Sequence, residues 1–253
     1  MTIGHRILGK GPEKVIILHG WMGDHSAFEP VFPFLDEDAF TFAFIDYRGY
    51  GASRDMKGEY SIAEICDDAV QLADQLGWDR FHAVGHSMGG MAVQWLAAYF
   101  PERLKSVVAL TPVPANGYPM DEDTLILFRS AADSAEARGT ILSFTTGQRL
   151  GRMWEKRMVE RSFATTTPEA HRGYFEAWMG TDFAEDVDGC ELPIKVLVGD
   201  NDPAMSADLM WNTVMKWFPN AEIEVMSNSG HYPMQEIPVW LAQEIQSYMQ
   251  AHA

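Results

Sequence analysis

With 253 residues, 47% of them apolar, and 8 Trp, 8 Tyr and 14 Phe, the chain can bury one large core, which excludes an intrinsically disordered protein. A formal charge of −17 leaves no basic surface for a nucleic acid or an anionic membrane, so neither is expected as a partner. The two cysteines, Cys66 and Cys190, make no disulfide framework. The start of the chain has no signal-peptide core and no apolar run nears ~18 residues, so free thiols and a cytoplasmic setting are expected.

Val15 to Leu18 is a short β-branched run suited to a strand buried on both faces, and Phe40 to Ile45 is a second, ending at Asp46. Between them Ser26 to Leu35 holds a short helix, interrupted by Pro30 and Pro33. Ser61, with Glu64 three residues on, opens a helix whose apolar positions keep helical spacing until Gly77. Phe81 to Val84 is a third strand, Gly85 to Gly90 turns into a helix reaching about Phe100, and Leu104 to Leu110 is a fourth strand. Strands alternating with helices predict a mostly parallel central sheet flanked by helices. From residue 114 to 190 the rhythm is all-helical, with helices near Asp121–Arg138, Gln148–Phe163 and Pro168–Met179. It then resumes with a strand at Ile194–Val198, a helix near Ser206–Trp217, a strand at Ile223–Val225 and a last helix from Pro238 to about Gln250. Residues 1–113 and 191–253 therefore form the core domain, and 114–190 an inserted subdomain.

The strongest motif is Gly85-His86-Ser87-Met88-Gly89, a Gly-x-Ser-x-Gly turn between strand and helix. A serine there is held in a strained backbone conformation that exposes its hydroxyl, and the flanking glycines avoid clashes in the bend. A serine hydroxyl is a weak nucleophile and needs a base. Of eight histidines, His231 lies in the loop Ser229 to Pro233 after the last strand, over the edge where the elbow opens. An acid to orient it should follow a strand edge between the two, and Asp200 and Asp202, after Ile194–Val198, both qualify on chemistry. An oxyanion needs two backbone N–H groups, expected from Met88 and from Trp21 in the loop His19-Gly20-Trp21-Met22-Gly23.

Together these segments resemble the α/β-hydrolase family over nearly the whole chain. His19-Gly20 is similar to its oxyanion loop, and Asp46-Tyr47-Arg48-Gly49-Tyr50-Gly51-Ala52-Ser53 to its structural Asp-x-Arg-Gly-x-Gly-x-Ser segment. Gly85 to Gly90 is similar to its nucleophile elbow, and Gly230-His231 with Glu236 and Pro238 to its histidine loop. Gly199 to Asp202 resembles its Gly-x-x-Asp segment, which places the acid at Asp202 rather than Asp200. The resemblance implies a catalytic set of Ser87, Asp202 and His231, and a helical cap over the site at 114–190. Ser at position 87 separates the chain from relatives whose nucleophile is Asp.

The implied activity is hydrolysis of a carboxylic ester or lactone through an acyl-enzyme, with no cofactor and no metal. The partner is a small-molecule substrate with an apolar acyl or ring portion, and the oligomeric state is left open. Trp21, Phe144, Trp154 and Trp178 are candidates for the pocket, although most cap aromatics should simply hold the cap to the body. The cap arginines are a solvated or paired face, one or two of which could receive a substrate carboxylate. The alternatives are a carbon–carbon bond hydrolase of vinylogous diketones, a ligand receptor with a retained triad, or a cofactor-free dioxygenase.

Overall fold

The β-branched runs pair into one sheet. The computed structural model describes residues 2–253, and its strands are β1 (His5–Gly9), β2 (Glu13–Leu18), β3 (Phe40–Ile45), β4 (Phe81–His86), β5 (Leu104–Leu110), β6 (Ile194–Gly199) and β7 (Ala221–Met226). Their order in the sheet is β1-β3-β2-β4-β5-β6-β7, with β1 antiparallel to β3 and every other pair parallel. β1 is the strand that the sequence reading does not contain.

Parallel register brings the strand ends together. Leu18 pairs with Gly85 and Gly199 with Met226, so the loops after β2, β4, β6 and β7 leave from one edge. Helices α1 (Ile62–Gln75) and α2 (Met88–Tyr99) belong to this α/β framework. α1 starts at Ser61, whose hydroxyl accepts from the Glu64 N–H at 3.1 Å, as its capping signal requires.

Between β5 and β6 lie α3 (Glu122–Ser130), α4 (Ala135–Thr145), α5 (Arg152–Thr165), α6 (Pro168–Gly180) and the short α7 (Ala184–Val187). The single helix expected over Asp121–Arg138 is two, because Ser134 caps a new start by accepting from the Ala137 N–H. The helix expected from Gln148 begins only at Arg152, since Gly147 and Gln148 both have left-handed φ values, 64° and 57°, that no α-helix accommodates. The segment expected at Ser206–Trp217 is likewise split at Thr213 into α8 (Ala207–Asn212) and α9 (Val214–Trp217). α10 (Pro233–Glu236) and α11 (Pro238–Ala251) close the chain. Among the described residues no helix is long and apolar enough to cross a membrane.

Arg138 is the keystone of the inserted helices. It is fully buried without a carboxylate, donating to the carbonyls of Ala131 and Ala132 and to the hydroxyls of Ser162 and Thr166. Its guanidinium lies 3.7 Å from the Phe163 ring centroid. Burial lowers its pKa to about 10.

Candidate active site

β4 ends in a forced turn. Ser87 takes φ 55° and ψ −114°, a conformation that costs energy for any residue with a side chain, and α2 begins at the next residue. The neighbouring glycines are sterically required. A Cβ on Gly85 would lie 2.0 Å from the Gly89 carbonyl oxygen, and one on Gly89 would lie 2.4 Å from that of Leu18.

Three loops then bring three side chains into line. Ser87 Oγ is 2.9 Å from His231 Nε2, and His231 Nδ1 is 2.5 Å from Asp202 Oδ2. The other Asp202 oxygen, Oδ1, accepts from the N–H groups of Ala204 and Met205 at 2.9 and 3.1 Å, which fixes the carboxylate plane. All three residues are buried, whereas Asp200 is exposed and accepts from the Ser229 N–H at 3.3 Å. The geometry therefore separates the two aspartates that chemistry alone left open. In this chain of hydrogen bonds the carboxylate holds the proton on Nδ1, so Nε2 can accept one from the serine.

His231 is held through its main chain. Its N–H donates to the Thr145 carbonyl at 3.1 Å, while its carbonyl accepts from His86 Nε2 at 2.7 Å and from Thr111 Oγ1 at 3.2 Å. Burial, then the nearby His231, pulls the pKa of His86 well below its ordinary value, so the imidazole is a neutral donor.

The loop after β2 faces the elbow. Neither Trp21 N–H nor Met88 N–H donates to a protein acceptor among the described residues. Trp21 itself is fixed at both ends. Its indole N–H donates to the His171 carbonyl at 2.7 Å, and its own carbonyl accepts from Tyr50 OH at 3.0 Å. Tyr47 OH likewise donates to the His19 carbonyl at 2.8 Å. Sequence reasoning took the segment Asp46 to Ser53 as structural and missed this support. The signal was the pair of tyrosines beside its glycines, which nothing in a single sequence connects to Trp21.

Above Ser87 lies a cavity of about 40 Å³, room for roughly three water-sized spheres or an acetyl-sized group. Its walls are mostly apolar, including Met22, Phe128, Ile141, Trp178 and Met205, with His231 as the one ionisable imidazole. Of the four pocket candidates, Trp21 and Trp178 line it. Phe144 is 49% exposed on an outer groove, and Trp154 packs edge-on against Tyr232 at 5.6 Å behind the wall. None of the arginines of the inserted helices lines the cavity. Arg129 pairs with Glu176, Arg149 with Glu236, and Arg172 with Asp133.

One group away from the serine, Asp24, His25 and Asp46, has donor atoms within 4.8 Å of one another, as a metal would need. Protein donors already use it. Asp46 accepts from the N–H groups of His25 and Ala52 and from His25 Nδ1, and Asp24 accepts from Ser26. The arrangement is a hydrogen-bonded pair of a half-buried His25 and a buried Asp46 that shapes the loop.

A model of the alpha/beta hydrolase fold family matches residues 14–236. Among curated proteins the chain is 35% identical over 98 residues to the "Serine hydrolase-like protein" of Danio rerio, covering 38% of this chain and 30% of that one. It is 24% identical over 246 residues to "Non-heme chloroperoxidase CPO-A1" of Kitasatospora aureofaciens, covering 91% of this chain and 89% of that one. The matches span 30% or less of the first three curated relatives. Among solved structures, an esterase from Exiguobacterium antarcticum superposes with a TM-score of 0.87 at 18% identity, covering 98% of this chain and 95% of that one. At that identity the likeness speaks for the fold.

Proposed function

The chain belongs to the alpha/beta hydrolase fold family, and on that premise we propose that it is a serine hydrolase of small, uncharged carboxylic esters or lactones. The observation that carries this reading is the Ser87–His231–Asp202 chain of hydrogen bonds on a strained elbow. Ser87 Oγ attacks the ester carbonyl carbon while its proton passes to His231 Nε2. The carbonyl oxygen becomes an oxyanion held by the Trp21 and Met88 N–H groups. The C–O bond to the leaving alcohol then breaks as His231 returns the proton to it. Water, deprotonated by the same imidazole, attacks the acyl-enzyme and releases the acid.

Residues 114–190 act as the cap in this reading, since Ile141 and Trp178 supply apolar wall above Ser87. A wall without a cation gives no counter-charge to a carboxylate, so neutral acyl groups are the substrates expected. The solvent-facing pairs of Arg129 and Arg172 agree with a surface role for those two, whereas the buried Arg138 is structural.

The test is hydrolysis of p-nitrophenyl acetate together with labelling by a fluorophosphonate. Wild type should turn over the ester and take the label on Ser87. Ser87→Ala should lose label and roughly 10⁴-fold or more of kcat while staying folded. A folded wild type that hydrolyses no member of a short neutral ester panel would point to the receptor alternative. A Ser87→Ala variant keeping about a tenth of the rate would remove Ser87 as the nucleophile.

A further inference from the structure

Behind Trp21 lies a second cavity, of about 180 Å³. Trp21 and Phe128 belong to both cavities and form the partition between them. Their rings are stacked, 5.7 Å apart and 7° from parallel, and Phe128 also stacks on Phe175 at 5.7 Å. On the far side the wall includes Ala132 and His171, and the rim carries Arg129, Arg172 and Glu176. The rim is charged but balanced, with Arg129 bonded to Glu176 and Arg172 to Asp133.

His171 has no role in the fold that accounts for its imidazole. The ring lies 4.0 Å from Trp21 and is fully buried, yet neither ring nitrogen has a hydrogen-bond partner. The bond that holds Trp21 uses the His171 main-chain carbonyl and leaves the side chain free. Buried polar atoms are almost always paired, so an orphaned imidazole beside a cavity is a donor and acceptor for a partner there once its ring turns to expose a nitrogen. Burial, followed by Arg138 and Arg172, holds it neutral, far below its ordinary pKa.

We propose that the cavity behind Trp21 is a second binding compartment, for an uncharged ring-bearing group with one hydroxyl or amide, and that Phe128 is the door joining it to the catalytic pocket. The aromatic wall takes the ring face and His171 takes the polar tip. A cavity of this size holds a benzene-sized ring, since an engineered one of ~150 Å³ does so. Phe128 is only half-buried and is held by ring contacts with Trp21, Phe175 and Trp178 and no side-chain hydrogen bond, so it can rotate where Trp21, bonded at both ends, cannot. That the ligand is part of the substrate rests on the ester-hydrolase reading, and the compartment itself does not.

The probe is benzyl alcohol, whose saturable binding to the whole chain is followed by calorimetry and ligand-observed NMR. Binding should persist after methanesulfonyl fluoride has blocked Ser87 with a group too small to fill the rear cavity. It should weaken by roughly tenfold or more in Ala132→Phe, which fills that cavity, and in His171→Leu, which removes the polar partner. His171→Leu breaks no hydrogen bond and should fold even where Ala132→Phe does not. No saturable binding, binding abolished by the block, or binding indifferent to the substitution that folds overturns the compartment. In parallel, Ala132→Phe should lower kcat/KM for benzyl acetate by roughly tenfold relative to methyl acetate. An unchanged ratio overturns the assignment of the ligand to the substrate. If wild type hydrolyses neither ester, the ester-hydrolase reading fails and the binding arm still decides the compartment.

Discussion

Asp202→Asn tests the site most sharply, because the backbone dictates which way the new amide must point. Oδ1 of Asp202 faces two donors, the N–H groups of Ala204 and Met205. The asparagine oxygen has to stay there, since an NH₂ group would meet both donors head-on. The NH₂ therefore takes the place of Oδ2, 2.5 Å from His231 Nδ1. That imidazole must then offer a lone pair at Nδ1 and carry its proton on Nε2, where it faces Ser87 Oγ. A protonated Nε2 cannot accept the serine proton, so in the proposed mechanism the base is disabled while its position is kept. The expected loss is about 10⁴-fold in kcat, or about 5.5 kcal/mol in the barrier. Asp200→Asn, on an exposed side chain whose oxygen can go on accepting from Ser229, should cost no more than about 1 kcal/mol, roughly fivefold. The assay is kcat/KM on p-nitrophenyl acetate, with circular dichroism to verify folding and nitrogen NMR to read the tautomer of His231. If Asp202→Asn keeps more than about a tenth of the rate, or if Asp200→Asn is the more damaged, the orientation argument is wrong.

Three further outcomes concern the scaffold. Gly89→Ala places a methyl 2.4 Å from the Leu18 carbonyl oxygen, so it should cost about 1–3 kcal/mol in urea unfolding and reduce activity, while Gly23→Ala, with open space around it, should be silent. Arg138→Ala strips the donors from two carbonyls and two hydroxyls in a dry interior and should destabilise by about 3 kcal/mol or more in the same assay. The His25–Asp46 pair should give a stability optimum in mild acid. The bond His25 donates to Asp46 raises the His25 pKa despite burial, so its contribution is full below 6.5 and is lost as pH climbs through the raised value. Burial alone would raise Asp46, but the His25 bond, the His19 charge and two amides together lower it, so its contribution is full above 3.8 and is lost as pH falls through the lowered value. The difference in Tm between wild type and His25→Gln should therefore be greatest between those two limits and shrink on either side, and a pH-independent difference would refute the coupling.

What was legible in the sequence was what short segments determine. Ser87 and its flanking glycines announce a bend that only a few residues can make, and the buried runs of β2 to β6 announce a sheet with helices on both sides. β1 was not legible because His5 to Gly9 is partly exposed at the sheet edge and becomes a strand through its antiparallel pairing with β3. The inserted helices were read too long where Gly147 and Gln148 turn left-handed, a conformation that glycine tolerates without requiring. Pocket membership depended on helix rotation. Ile141 and Thr145, one turn apart on α4, both line the cavity, whereas Phe144 lines only the outer groove, which Ile141 also borders. Tyr50 reaches Trp21 across 29 residues of sequence, a contact that arises only when the loops after β2 and β3 leave the sheet side by side.

The insertion between β5 and β6 also sets the order in which the chain can be built. Leu110 of β5 pairs with Leu197 of β6, so five helices must leave the ribosome before the sheet can grow past its fifth strand. At about 5–20 residues per second, the nascent chain carries the open edge of β5 for several seconds. That edge is apolar, for Val107 to Leu110 are completely buried once β6 has docked. An unpaired apolar edge is a template for pairing with other chains. The entropy of closing so long a loop grows only slowly with its length, so the hazard during synthesis is delay rather than thermodynamic cost. In that interval the elements emerging are α3 to α7, so the edge of β5 stays without its strand partner until β6 takes its place.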